Sequence, residues 1–209
     1  YSSFTLYSLN KHFGQALPLL KDLLQQPAFP EKELQAFKQR NQRRLEIDLS
    51  KNDVVAYRES TARIFGESHP YGYNSQPATY EALQRENLME HHRRLYNKDN
   101  CVIFLSGRVD EALFEQVNAA FTEALPAGQA AQADWTLPPP QACQERIYRP
   151  NTVQSAIRIG RPLFNRQHED YMGMYVLNTL LGGYFSSRLM ANLREEKGYT
   201  YNVYSSVDV

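Results

Sequence analysis

The chain has 209 residues, of which 42 % are apolar and 12 % aromatic. This composition excludes an intrinsically disordered chain, because it can supply a packed core. Lysine plus arginine and aspartate plus glutamate each number 23, so the formal net charge is zero. That balance predicts neither a nucleic-acid partner nor electrostatic attraction to a membrane. No apolar run approaches the roughly 18–20 residues that a membrane-spanning helix needs.

The chain opens with a predicted strand followed by an amphipathic helix. Residues 3–9 are predicted to be extended, with Phe4 and Leu6 on one face. The helix is predicted because its apolar residues recur every three or four positions. These residues are Ala16, Leu17, Leu20, Leu23 and Leu24.

Two further helices follow, each with terminal signals. Pro30 favours the N1 position of a helix that runs to about Leu49, since proline has a helical φ and no N–H to lose. Asn52 or Asp53 is predicted to cap the next helix, because both side chains can accept from backbone N–H groups. That helix is predicted to end at Gly66.

The middle of the chain repeats the alternation of helix and strand. Short helices are predicted at 77–83 and 87–96, and residues 101–105 are predicted to form a buried strand that also buries Cys101. A turn at Gly107 leads into an amphipathic helix. Its apolar residues are Leu113, Val117, Ala120 and Phe121. Helices packed on a sheet are the expected layers.

Residues 127–143 are rich in alanine, glutamine and proline and are predicted to link two modules, 1–126 and 144–209. Three strands and two helices are predicted beyond the linker. The strands are 145–148, 155–160 and 199–207, and the helices are 169–181 and 186–197. Because Tyr1 and Val209 both fall in predicted strands, we expect the sequence to be part of a longer polypeptide.

The most distinctive segment lies near the C-terminal end. It reads LLGGYFSSRL over Leu180–Leu189 and LREEKGYTY over Leu193–Tyr201. This segment resembles the "LGG…SRL…LRE…G…Y" motif in the second domain of the M16 zinc metallopeptidases, the group of pitrilysin, insulin-degrading enzyme and mitochondrial processing peptidase. The stretches at 65–72 and 96–110 are also similar to M16 sequences. The resemblance implies an α+β fold of two-layer α/β modules, in which helices pack on mainly antiparallel sheets.

The resemblance also implies a substrate-binding site. In M16 peptidases, an arginine on the last helical turn and a tyrosine seven residues later hold the substrate, and these match Arg194 and Tyr201. A guanidinium carries five N–H donors and a phenol one O–H donor, so both can bind a peptide carbonyl. The loop at Gly182 and Gly183 is expected to pack close to the substrate groove.

Simpler interpretations stay open for each of these residues. Arg194 would bind the carbonyls at its own helix end, since a cation is stabilised there by the helix dipole. Tyr201 would be an amphipathic core residue. The glycine pair would only end a helix.

The family's zinc ligands, in contrast, are not found. An M16 zinc site uses an inverted H-x-x-E-H helix and a glutamate on a later helix. None of the five histidines has that spacing: His12, His69, His91, His92 and His168. The register of the helix after Pro30 places Arg44 where the later glutamate belongs, and a guanidinium repels zinc. A register shifted by two would instead make Glu46 the candidate ligand.

The sequence therefore predicts a chain without catalytic residues, metal ligands or cofactor, which completes the chamber of an M16 peptidase. Its expected partners are a zinc-bearing M16 half and an extended peptide substrate, and it would act in the cytoplasm or in a bacterial periplasm. One alternative is a non-enzymatic scaffold subunit. Another is a fragment of a complete protease whose H-x-x-E-H lies upstream of Tyr1.

Overall fold

The computed structural model describes residues 2–132, 135–139 and 141–208. The contacts divide the chain into two compact units, Tyr1–Pro139 with Cys143–Arg158, and Pro140–Ala142 with Ile159–Val209. The predicted chain ends at Tyr1 and Val209 and part of the predicted linker lie outside the described residues. The domain boundaries drawn from the sequence stay a prediction.

The described part of the first unit contains six α-helices and one 3₁₀ turn. The helices are α1 (Asn10–Gln25), α2 (Glu31–Leu49), α3 (Asn52–Phe65), α4 (Pro77–Ala82), α5 (Arg85–Leu95) and α6 (Glu111–Ala124). The 3₁₀ turn is Lys98–Asn100. Each of these helices was predicted from periodicity and terminal signals, and the structure confirms all six to within a few residues.

The helix ends differ slightly from the sequence prediction. Pro30 has extended dihedral angles (φ −62°, ψ 132°) and directly precedes α2, so it occupies the N-cap position rather than N1. Helix α3 begins at Asn52 without a side-chain cap. It ends where predicted, at Gly66, whose φ of 82° suits a residue without a Cβ atom.

The core of the first unit is built where α1 packs against α6. Leu17 and Leu24 on α1 and Val117 and Ala124 on α6 are buried. At the edge of this contact, Lys21 Nζ lies 2.7 Å from a carboxylate oxygen of Glu123. Elsewhere in the unit, α2 packs against α3 and α4. Burial of apolar side chains between helices therefore stabilises this unit.

The second unit is helical in its middle. Helix α7 (Tyr171–Asn178) continues into a π-helical turn, Thr179–Gly183, and a π-helix follows at Met190–Glu196. Met190 and Ser187 are buried at the start of that π-helix. The two helices predicted here are confirmed, although both contain i→i+5 turns that residue patterns do not distinguish from α-helical ones.

The predicted sheets are not found. The described residues contain no strand, so the prediction of helices packed on antiparallel sheets is wrong for them. Residues 101–105 are extended but exposed, with Val102 and Phe104 at 76 % and 90 % exposure. Cys101, predicted to be buried, is exposed as well. An apolar pattern predicts an extended backbone, whereas a strand also needs a neighbouring segment to accept and donate its backbone hydrogen bonds.

None of the helices in the described part of the chain is long and apolar enough to span a bilayer.

We expect Leu17→Ala to lower the free energy of unfolding by about 2–5 kcal/mol, because it leaves a cavity on the buried face of α1. Leu19→Ala is the matched control, since Leu19 lies on the same helix and is 73 % exposed. It should change stability by less than about 0.5 kcal/mol. Urea denaturation followed by circular dichroism measures both, and equal effects would show that α1 packs through another face.

Candidate functional site

The turn at Gly182 is bonded to the extended segment near the C-terminal end. The Ser205 N–H donates to the Gly182 carbonyl at 3.1 Å. The Ser205 hydroxyl donates to the Asn178 carbonyl at 3.2 Å, and the Asn178 side-chain amide donates to the Ser205 carbonyl at 3.3 Å. These three bonds fix the segment beside the end of α7.

Gly182 is required sterically at this contact, whereas Gly183 is not. A Cβ atom on Gly182 would lie 2.5 Å from the Ser205 nitrogen, far inside van der Waals distance. A Cβ atom on Gly183 would meet its nearest neighbour, the Asn178 carbonyl oxygen, at an ordinary 3.4 Å. The close approach predicted for the glycine pair is therefore to the chain itself at Gly182. A contact of either glycine with substrate stays a prediction.

Arg194 lies in the last turn of the π-helix, as predicted, and is half-buried. Its guanidinium carbon lies 4.7 Å from the centre of the Phe185 ring. Within the described residues, its N–H groups form no hydrogen bond or ion pair, and none reaches the carbonyls at the helix end. The simpler interpretation of Arg194 as a helix-end cap is thus not what the structure shows.

Tyr201 follows a sharp turn at Gly198. Gly198 has a φ of 62°, and the Tyr199 N–H donates to the Leu193 carbonyl at 2.9 Å, which closes the helix. Tyr201 is 88 % exposed, so it is not a core residue. In the described part of the chain its hydroxyl forms no hydrogen bond. Neither predicted residue is therefore hydrogen-bonded to the other within the described residues.

Phe185 and Ser205 were missed by the sequence analysis as parts of this site. Phe185 lies inside the quoted motif, but its nine-residue separation from Arg194 spans a turn, so no helical spacing indicates the contact. Ser205 lies beyond the motif, and no sequence signal marks its bonds to Gly182 and Asn178.

Comparison with known proteins identifies the family. The family model described as the peptidase M16 inactive domain matches residues 82–209, which include the whole candidate site. The chain belongs to the M16 peptidase family.

Curated M16 relatives are similar over most of the chain. An uncharacterized zinc protease of Bacillus subtilis, YmxG, is 28 % identical over 98 % of this chain and 50 % of its own length. The non-peptidase homolog YmxG of Helicobacter pylori is 26 % identical over 96 % of this chain and 46 % of its own length. The chain thus spans about half the length of these M16 relatives.

A solved M16 structure has the same fold. The crystal structure of the peptidase M16 inactive domain from Pseudomonas fluorescens superposes with a TM-score of 0.77 and 26 % identity. The match covers 96 % of this chain and 49 % of the other. The backbone therefore has an M16 fold over most of the chain.

Neither Arg44 nor Glu46, the two residues considered for the position of the later M16 zinc ligand, belongs to a cluster of metal-binding side chains in the described residues. Arg44 is exposed, with its Nε 3.8 Å from a carboxylate oxygen of Asp48. Lys51 donates a hydrogen bond to Asp48 and lowers the pKa of that carboxyl group, so Asp48 is already bound to cations. Glu46, the alternative candidate, is exposed. Within the described residues, no group of three or more histidine, cysteine or acidic side chains could hold a metal.

Two of the histidines, His69 and His92, contact groups of the protein that are not metal ligands. His69 stacks on Phe65 at 5.4 Å between ring centres, and its Nδ1 accepts from the Tyr71 N–H at 3.1 Å. His92 Nε2 lies 2.8 Å from the Leu24 carbonyl oxygen. The side chains in the described part of this M16 chain therefore do not form a set of ligands that fits a zinc ion.

We expect Gly182→Ala to separate the glycine turn from Ser205 and to destabilise the second unit by about 1–3 kcal/mol, the usual effect of overpacking. Amide hydrogen exchange at Ser205 measures the loss of its bond to Gly182 and should become faster. Gly173→Ala is the control, because a Cβ atom there meets nothing within 4 Å. Unchanged exchange at Ser205 in Gly182→Ala would contradict the contact.

Proposed function

We propose that this chain is a non-catalytic part of an M16-type zinc peptidase, which completes the substrate chamber and positions an extended peptide opposite a zinc site on a partner half. The observation that carries the proposal is the state of Arg194. Its guanidinium is half-buried against an aromatic ring, while its donors are unused within the described residues. Tyr201 adds an exposed hydroxyl seven residues away.

Unused donors at a half-buried arginine favour a binding role. A structural arginine usually forms a bidentate pair with a carboxylate, because its planar donors match two oxygens. Arg63 has such a carboxylate partner in this chain: its Nε donates a single hydrogen bond to Glu145 at 2.8 Å, and this bond raises the pKa of the guanidinium. Among the described residues, Arg194 has no such carboxylate partner. A peptide carbonyl, or the negative charge that develops on it during hydrolysis, is a suitable acceptor.

Two further observations support a partner half that carries the zinc. A peptidase of this family needs zinc, and the described residues offer no donor set for it. The matching family model is itself described as an inactive domain. The metal is therefore assigned to another half, either a second chain or another part of a longer polypeptide.

Arg194→Ala and Tyr201→Phe should each lower turnover by the assembled enzyme about 10-fold or more, because each removes a donor that acts on the reacting carbonyl. Tyr199→Phe is the matched control, since this neighbouring tyrosine is 78 % exposed and has no assigned role. Steady-state kinetics on unstructured peptides, with circular dichroism to verify folding, gives the result. Wild-type kinetics in both folded variants would refute the substrate role.

A scaffold without peptide binding is the second candidate function. It is favoured by the Helicobacter pylori relative, whose name describes it as a non-peptidase homolog. The two candidates differ in affinity for peptide. A scaffold would leave the fluorescence anisotropy of labelled random peptides unchanged. A chamber half would raise the anisotropy, and the Arg194→Ala variant would raise it less.

If the zinc-bearing half is a second chain, the full-length parent protein, purified without a partner, should contain no stoichiometric zinc by elemental mass spectrometry. The reason is that the sequence register places Arg44 where the family's later glutamate belongs, and the described residues gather no other set of metal ligands. Prior dialysis against zinc sulfate followed by gel filtration controls for loss of metal during purification. About one zinc per chain would contradict a separate zinc-bearing chain and would indicate that the zinc-bearing half lies on the same polypeptide.

A further inference from the structure

The Phe185 side chain is exposed without any core role. It is 63 % exposed, although burial of a phenylalanine is normally favourable. Its ring faces the guanidinium of Arg194 at 4.7 Å, well within the roughly 6 Å range of a cation–π interaction. The Phe185 ring is thus exposed and lies against an arginine that is a candidate for substrate binding. We therefore look for a functional explanation of its position.

The backbone around Phe185 holds the ring in place. The Ser187 N–H donates to the Tyr184 carbonyl at 3.1 Å, which closes a tight turn with Phe185 at its second position. Ser187 is fully buried, and its carbonyl accepts from the Ala191 N–H at 2.9 Å. The turn is thereby fixed to the helix that carries Arg194. The ring and the guanidinium thus belong to one short, bonded segment.

An aromatic ring orients a guanidinium without occupying its donors. The five N–H groups lie in the guanidinium plane, and a ring that faces the cation contacts the carbon and the π system rather than the donor hydrogens. A carboxylate in the same place would accept two of those hydrogens and neutralise the charge. A ring contact therefore restricts the arginine while it leaves the positive charge and in-plane donors available to a ligand.

From this geometry we propose that Phe185 is a positioning residue, which holds the Arg194 guanidinium for a peptide carbonyl by a cation–π contact. The proposal rests on the proposed function, since it assigns Phe185 a role only through Arg194. An ordered arginine loses less side-chain entropy when it binds. Removal of the ring should therefore weaken the action of Arg194 without abolishing it.

The first test observes the contact directly, without activity. The arginine side-chain signals of the full-length parent protein are recorded by ¹H–¹⁵N NMR for the wild type and for Phe185→Leu. Loss of the ring current should shift the Arg194 Nε–H signal, and Phe185→Tyr should restore it. Tyr184→Leu is the control and should leave this signal in place, because Tyr184 makes no described contact with Arg194. An unmoved Arg194 signal in Phe185→Leu overturns the proposal.

The second test is a double-mutant cycle on the assembled enzyme, with a quenched-fluorescent library of random dodecapeptides as the probe. Phe185→Leu should lower kcat/KM about two- to fivefold, the scale of an exposed cation–π contact, and Phe185→Tyr should retain the wild-type value. In an Arg194→Ala background, Phe185→Leu should have no further effect, because its action passes through the missing guanidinium. An equal loss in both backgrounds overturns the positioning role.

The two proposals fail in different ways. If Arg194→Ala has wild-type kinetics, the proposed function is wrong, whatever the NMR spectra show. If Arg194→Ala is impaired while Phe185→Leu is not, the proposed function stands and the positioning role is wrong.

Discussion

The contact between Gly182 and Ser205 is the constraint on which the candidate site depends. It brings two backbones so close that a single methyl group would not fit between them. The contact joins the glycine turn before Phe185 and Arg194 to the extended segment that carries Tyr201. Besides it, the turn at Gly198 and the two hydrogen bonds between Asn178 and Ser205 hold the segment of Tyr201 near these helices. Glycine is therefore required at position 182 because two backbone segments approach each other closely there.

Helices could be predicted from this sequence because their hydrogen bonds are internal to one segment. The spacing of apolar residues in α1 is sufficient to predict that helix, and the glycine after α3 is sufficient to predict where α3 ends. The predicted strands failed for the complementary reason. Residues 101–105 contain an apolar, β-branched pattern, but that pattern says nothing about which segment accepts their backbone hydrogen bonds. In the described residues no segment does, and the apolar side chains are exposed.

The candidate site divides in the same way. Arg194 and Tyr201 could be proposed from the sequence because their spacing around Gly198 is local and matches a known motif. Gly182 was proposed with them, and its close contact with Ser205 could not be predicted. Phe185 could not be recognised from sequence, since an aromatic residue before a helix is usually a core residue. Its position 4.7 Å from the Arg194 guanidinium carbon is what motivates the proposed positioning role.

Three arginines of this chain show how environment separates structural from functional roles. Arg63 donates to Glu145, so its donors and charge are used within the chain. Arg44 is exposed and lies 3.8 Å from Asp48 one helical turn away, a surface pair that contributes little to stability. Arg194 is half-buried beside the Phe185 ring and has no carboxylate partner within the described residues. Partial burial removes water from its guanidinium, and no described side chain replaces the lost hydrogen bonds. A ligand with a carbonyl or anionic oxygen would replace those hydrogen bonds, and this makes Arg194, rather than the other two, the residue from which a binding role is best argued.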